Sequence, residues 1–539
     1  VKYFENHPTK TYKYMLLFNI VKHTQKILYT YFLMANNAKK TNIFSHGKSP
    51  SHHNPTKMSV TVLEILYILL TIVFSLHIIY NYKDTGKAFA YLLLIIFLPV
   101  AGMVVYLLLG INRRKHKMYN KKLIADQHMV QRVERFVKTS NDSIFEKRAE
   151  DLGNQTKLAK LLCRDSYSPL TPYNKVEILN NGENAYPEIL RCLRQARHHI
   201  HLEYYIIEDG KIFHEIMGIL IEKASQGVEV RLIFDDFGSK DIRKAYKKEL
   251  RKSGVEIYPF LKIYFIALAN RINFRNHRKI IVIDGFIAFM GGINISDRYD
   301  NRPNTKKYWR DTHLKIQGYA TYSIQNIFLA DWNFCSSQQI EPSDAYFPEI
   351  PASFRKEDTI VQIASSGPDS TYPTILYAII TAISSAKSEI LITTPYFIPT
   401  TSLLNALRIA ALSGIDVKIM VPYKSDSTIV NSASESFFEE ILDYGIEVYQ
   451  YQKGFVHSKV TVCDRELAIV GTANMDIRSF DLNFEVNAQI YDKEVAEKLA
   501  TDFFNDLKDA RKINIEAWEQ RPFYRKILEK IFRLASSLM

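Results

Sequence analysis

Apolar and polar positions fall into three regimes along the chain. Val60–Tyr80 and Ala88–Gly110 are almost unbroken apolar runs of 21 and 23 residues, each long enough to cross the hydrocarbon core of a bilayer as a helix. Glu64 and His77 lie near the ends of the first run, and Pro99 is of a kind tolerated inside a membrane helix. Asn81–Lys87 joins the runs, so residues 58–110 are expected to form an N-terminal two-helix transmembrane hairpin.

From about residue 171 the pattern alternates between helical and strand periods, and it does so twice. Apolar positions at helical spacing in Tyr186–Ala196 precede a strand at Ile200–Ile207, a helix, and a strand in Gly227–Asp235. The second pass has a helix at Tyr372–Ala386, a strand at Ile390–Thr394, a helix at Leu403–Leu412 and a strand in Gly414–Val421. Gly254–Tyr258 and Gly445–Tyr449 extend the match. Strands alternating with helices predict an α/β fold with a mostly parallel sheet covered by helices, present as two units over 171–340 and 341–515. The Pro-, Ser- and charge-rich stretch Ser336–Asp358 lies between them. Residues 516–539 set Trp518, Phe523, Ile527, Ile531 and Leu534 among Arg521, Arg525, Lys526, Lys530 and Arg533. That is a basic amphipathic segment which either lies in a headgroup layer or docks on the body.

The formal net charge of +13 changes this picture less than its size suggests. Residues 1–57 hold nine Lys, no Arg and a single acid, Glu5, so most of the excess sits there. This leading stretch is expected to be disordered or an extension from a start placed too far upstream of Met58, a weak amphipathic helix over Met15–Met34 being the alternative to disorder. It lacks the arginines of a mitochondrial transit peptide and the cleavage site of a secretory signal. Arg113, Arg114, Lys115, Lys117, Lys121 and Lys122 follow the second apolar run, against Lys83 and Lys87 in the short link. Positive-inside then places the body on the cytoplasmic side of the membrane, behind a basic juxtamembrane linker over 111–170. Cys163, Cys192, Cys335 and Cys463 have no metal or disulfide spacing and read as thiols of a reducing compartment. His198, His199 and His201 lack companion Cys or acid ligands and do not read as a zinc site.

Candidate chemistry comes from two matching segments, His277-Arg-Lys279-Ile-Ile-Val-Ile-Asp284 and His457-Ser-Lys459-Val-Thr-Val-Cys-Asp464. Each reads as a buried strand ending at a turn, with His and Lys on one face. Asp284 and Asp464, at an odd spacing from the His, are assigned to support. Gly291-Gly292-Ile-Asn294 and Gly471-Thr-Ala-Asn474 follow, with Asn seventeen residues after His in both copies. A small-residue turn allows close backbone approach to a phosphate, and an Asn amide donates to a phosphoryl oxygen without adding charge. Asp311 and Glu485 come next, and a carboxylate on one ring nitrogen fixes the tautomer of an imidazole and stabilises its cation. The candidate set is therefore His277, Lys279, Asp284, His457, Lys459 and Asp464, with Lys279, Asn294, Lys459 and Asn474 on phosphate and Asp311 and Glu485 orienting the imidazoles.

With Glu203-Tyr-Tyr-Ile206, Tyr308-Trp-Arg-Asp-Thr-His313, Thr394-Pro-Tyr-Phe-Ile-Pro399 and Asn483-Phe-Glu-Val-Asn487, these motifs make the chain resemble the phospholipase D superfamily and, within it, the bacterial membrane-bound cardiolipin synthases, over about residues 60–539. The resemblance implies two units packed with pseudo-two-fold symmetry and the active site at their seam. It also implies phosphatidyl transfer from one phosphatidylglycerol to another through a phosphohistidine, giving cardiolipin and glycerol, with no metal or other cofactor. Family analogy favours His277 as nucleophile and His457 as acid/base, a symmetry the residues alone leave unbroken. A hydrolytic phospholipase D or another phosphatidyltransferase would keep the same residues. A nuclease fits less well, because nucleic-acid binders usually concentrate a basic face, and a membrane scaffold would not need two His-Lys sets.

Overall fold

The computed structural model describes residues 55–81, 85–107, 144–145, 148–164, 168–261, 274–302, 307–336 and 338–536. The expected extension up to residue 54, its Met15–Met34 helix and the basic cluster Arg113–Lys122 lie outside these residues. The chain divides into two units, Val1–Met103 and Val104–Met539.

In the N-terminal part, α1 spans Pro55–Asn81 and packs against α2, Thr85–Phe97. The second apolar run is not one helix. It stops at Phe97 and restarts as α3, Pro99–Val105, because proline has no N–H to continue the ladder and disfavours helical backbone in the residue before it. Among the described residues, no helix is long and apolar enough to cross a membrane. The side chains of Ile68, Leu69, Leu76 and Ile79 on α1 are nevertheless exposed.

In the larger unit the first set of strands is β1 (Thr171–Asn180), β2 (His199–Tyr204), β3 (Glu229–Phe234), β4 (Glu256–Pro259), β5 (Arg275–Asn276), β6 (Lys279–Ile283), β7 (Ile287–Gly291), β8 (Tyr308–Arg310) and β9 (Thr312–Gly318). Helices α4 (Asn181–Gln195), α5 (Lys211–Ser225) and α6 (Ala320–Ser336) go with them. The second set is β10 (Thr359–Ser366), β11 (Glu389–Thr393), β12 (Phe397–Ile398), β13 (Asp416–Pro422), β14 (Glu447–Tyr451), β15 (Gly454–Val456), β16 (Val460–Cys463), β17 (Leu467–Gly471), β18 (Met475–Asp476), β19 (Asn483–Tyr491) and β20 (Ala510–Lys512). Its helices include α7 (Thr374–Ser385), α8 (Thr401–Leu412), α9 (Thr428–Glu435), α10 (Lys493–Leu507) and α11 (Phe523–Ser536).

All the long strands share one sheet, ordered β20-β14-β13-β11-β16-β17-β19-β10-β1-β9-β7-β6-β2-β3-β4. Apart from the edge strand β20, the order is a palindrome about the antiparallel β10–β1 pair, so each strand of the first set that lies in this order has its counterpart in the second. The expected mostly parallel sheet is corrected to a mixed one. Along this order only β2–β3–β4 and β11–β13–β14 are parallel. The H-x-K strands run antiparallel to β2 and β11 and to the strands that follow them, β7 and β17. Tight turns at Asp284 and Asp464 reverse the chain there, and a short reversal can only make an antiparallel pair. One apolar core is common to both halves: Leu314, Ile316 and Phe328 pack with Val486, Ala488 and Leu499. Burial of such side chains contributes roughly 1.5–3 kcal/mol each, and here it holds the halves in fixed register.

Candidate active site

The motif strands begin later than their apolar pattern suggested. β6 starts at Lys279 and β16 at Val460, so His277 and His457 stand at the entrances of their strands. Two short parallel pairings fix those entrances. β5, just before His277, pairs with Asn483–Phe484 at the start of β19, and β15, just before His457, pairs with β8. The backbone N–H of His277 donates to Phe484 O (3.0 Å) and that of His457 to Arg310 O (2.7 Å). Each His is thus stitched to the segment of the other half that carries the acid.

The acids follow the stitching. His277 Nδ1 meets Glu485 Oε2 at 2.9 Å and His457 Nδ1 meets Asp311 Oδ2 at 2.7 Å. Ionised carboxylates only accept, so each ring donates through Nδ1 and leaves Nε2 as the reactive nitrogen. Lys279 Nζ donates to His277 O (2.7 Å), and Lys459 Nζ to His457 O. Both imidazoles are buried, with 8% and 7% exposure. Tyr205 packs edge-on to His277, and Tyr299, Trp309 and Phe455 surround His457.

Burial sets the electrostatics. Desolvation pulls His277 down to about 4, with Glu485 opposing and Lys279 assisting. His457 is held well below its ordinary value by burial and by the charges of Lys459, Lys279 and His277. Burial brings Lys279 down to about 7, with Glu485 opposing and Lys459 assisting, and brings Lys459 to about 8, with Asp311 and Glu485 opposing. These mutual effects place both His-Lys sets in one electrostatic site. The two acids differ. Burial raises Asp311 to about 6. Glu485 ends below its ordinary value despite burial, because His277, Lys279 and the Thr472 hydroxyl hold its charge. Thr472 Oγ1 donates to Glu485 Oε2 (2.5 Å) and Asn483 Nδ2 to Oε1 (3.1 Å).

The small-residue turns serve the acids, where close approach to a phosphate had been expected. A Cβ on Gly292 would lie 2.0 Å from Asp311 Oδ1, so only glycine admits that carboxylate. The equivalent position in the second half is Thr472, whose hydroxyl reaches Glu485. Asn294 and Asn474 are buried with their amide nitrogens engaged: Asn294 Nδ2 donates to Tyr299 Oη (2.6 Å) and Asn474 Nδ2 to Asp476 Oδ2 (3.1 Å). Asp284 and Asp464 lie past the strand ends with φ of 52° and 53°. Asp284 accepts from the N–H groups of Arg197, His198 and His199, and Asp464 from those of Lys387, Ser388 and Glu389. They anchor β2 and β11 at the end of the sheet away from the imidazoles.

Sequence reasoning missed a polar chain beneath His277. Asn276 donates to Glu203, and Arg278 pairs with Asp331 and donates to Glu485 O. All four side chains are buried, and a single acid, Asp331, inside an otherwise uncharged helix was the available signal. Also missed was Asp426, which accepts from Tyr396 Oη (2.8 Å) and whose charge acts on His457 and Lys459. His198, His199 and His201 cluster beside Tyr346, and Arg231 lies 3.1 Å from His201 Nε2. No group of side chains suited to a metal ion occurs among the described residues.

Comparison with known proteins gives concordant results. The family model described as cardiolipin synthase, PLD-like domain matches residues 189–307 and 379–507, and one described as phospholipase D-nuclease N-terminal matches residues 69–110. The cardiolipin synthase of Alkalihalophilus pseudofirmus is 40% identical over 481 residues, 89% of this chain and 94% of its own. The major cardiolipin synthase of Bacillus subtilis (strain 168) is 39% identical over 492 residues, 89% of this chain and 100% of its own. Among solved structures, phosphatidylserine synthase of Haemophilus influenzae Rd KW20 superposes with a TM-score of 0.54 at 14% identity, over 72% of this chain and 100% of that one, a likeness of fold alone.

Proposed function

The chain belongs to the cardiolipin synthases of the phospholipase D superfamily, and from that membership we infer that it is a phosphatidyltransferase joining two phosphatidylglycerol molecules into cardiolipin, with release of glycerol. The observation that carries the chemistry is the crossed pair of His–carboxylate contacts beside two buried lysines.

Two cationic ammonium groups in a site shielded from water hold the non-bridging oxygens of a phosphodiester and stabilise the charge that grows there. Nε2 of His277, neutral because burial has lowered its proton affinity, attacks phosphorus. The bond to the glycerol oxygen breaks, and His457 gives that oxygen a proton. In the second half-reaction the hydroxyl of another phosphatidylglycerol attacks the phosphohistidine, His457 takes its proton, and the P–N bond breaks. Glu485 supports His277 as the nucleophile, because His277, Lys279 and Thr472 keep it ionised where it faces the imidazolium-like intermediate. His457 meets its need for a proton through the substrate: an anionic phosphodiester offsets the lysines that drive the proton off the empty ring.

Membrane attachment belongs to the same reading. The exposed apolar side chains of α1 and the two apolar runs support an N-terminal membrane hairpin, with the body on the cytoplasmic side of the bacterial inner membrane. The test is to follow labelled phosphatidylglycerol in mixed micelles. Cardiolipin and glycerol are expected, with a loss of roughly 10³-fold or more in His277→Ala and His457→Ala. Phosphatidic acid alone would make water the acceptor and the protein a phospholipase.

A further inference from the structure

The C-terminal helix α11 is amphipathic in the reverse of the usual sense. Its charged face docks on the body: Lys526 pairs with Glu439 (3.8 Å), Arg533 with Glu440 (2.8 Å), and Glu529 is buried beneath Arg521 (2.7 Å). Phe532 packs with Trp518 onto the core. The outward arc carries Phe523, Tyr524, Ile527, Leu528, Ile531 and Leu534, with exposures from 42% to 79%. At 100° per residue these six cover a continuous stripe, flanked on one edge by Lys530 and on the other by Arg525, both exposed. A stripe of this kind turned to water marks an interaction surface.

We propose that α11 is a bilayer-docking helix, lying in the headgroup plane of an anionic membrane with its apolar arc toward the acyl chains. The inference rests on the lipid substrate argued above. At fourteen residues the helix is too short to span a bilayer, and its composition suits the interface: apolar and aromatic residues on one face, bases at the margins. Charge selects the occupant. The only acid in α11 is Glu529, buried against Arg521, so the exposed margins are purely basic. A second copy laid on the same face would set like charges together, whereas anionic phosphatidylglycerol headgroups complement them.

Position adds a functional reason. α11 packs along α9, and the segment entering α9 carries Asp426, hydrogen-bonded to Tyr396 and acting electrostatically on His457 and Lys459. Tyr423 in that segment and Ile429 in the first turn of α9 are exposed. Docking through α11 therefore brings the segment of Asp426, which acts on His457 and Lys459, toward the lipid plane.

The test uses the full chain with the paired substitution Ile527→Asp and Ile531→Asp, which faces solvent and leaves the docked side intact. In phosphatidylglycerol vesicles the variant is expected to lose tenfold or more of the apparent affinity for lipid mole fraction. In detergent micelles saturated with phosphatidylglycerol it should keep its activity within twofold. Phe523→Trp reports independently: its added fluorescence should be quenched by brominated phosphatidylglycerol in vesicles. Equal activity of variant and parent in vesicles, an unquenched signal from the introduced tryptophan, or a parental dimer that the paired substitution dissociates would overturn the proposal. A parent protein inert on phosphatidylglycerol in both settings would overturn the preceding reading of function, and the quenching would still decide this one.

Discussion

At the residue scale, the two half-sites are similar in plan and unequal in chemistry. Glu485 receives His277, Thr472 and Asn483, whereas Asp311 receives His457 and the Thr312 N–H and is raised to about 6. Glu485→Gln removes the charge that stabilises an imidazolium at His277. It is expected to lower kcat by roughly 10²–10³-fold and to reduce the phosphohistidine trapped on quenching; an unchanged yield on His277 would assign the nucleophile to the other half. The lysines give a pH signature. Both have proton affinities below the ordinary value, about 7 and 8, so their charge is present below those values and lost as pH rises through them. For the free enzyme, kcat/KM should therefore fall above about pH 7. A bound phosphodiester restores the protons, so kcat should hold to higher pH. A kcat/KM level to about pH 9 would show that the lysines stay charged and that the alkaline limb has another origin.

At the element scale, the short strands matter more than the long ones. β5 and β15 contribute only a few residues, yet each forms a parallel junction with the opposite half and sets where an imidazole points. The β6–β7 hairpin has Asp284 and Gly285 both at positive φ, 52° and 65°, and a Cβ on Gly285 would lie 2.3 Å from Tyr346 O. Gly285→Ala should cost roughly 2 kcal/mol of stability, measurable by urea unfolding in detergent. The matching turn tolerates Arg465 at φ 53°, where the side chain reaches Glu389 and Glu497. Substitution of Gly285 to Ala without loss of stability would mean that the segment around Tyr346 moves aside easily.

At the scale of the whole molecule, the palindromic sheet makes one chain supply both halves of one site. Mixing His277→Ala protein with His457→Ala protein should leave activity at the level of either alone, because each chain lacks one member of its own pair. Recovery to a substantial part of the parental rate would instead show that halves are exchanged between copies.

Two H-x-K segments, the equal Asn spacing and the repeated helix–strand order carry the duplication, the candidate His and Lys side chains and the α/β class, because these depend on local periodicity and on residue chemistry. Asp284 and Asp464 were read as supports, and they cap the strands beside them. Which acid serves which imidazole is set by the fold, since Glu485 lies 208 residues from His277 and Asp311 146 from His457, and no local pattern encodes a pairing across the seam. The same holds for Gly292, whose need for glycine comes from Asp311 arriving from another strand, and for the antiparallel centre of the sheet. It holds too for α11, whose basic face in the sequence became the docked face in the fold. Composition fixes that a helix has two faces, and only the acids on the body fix which one turns inward.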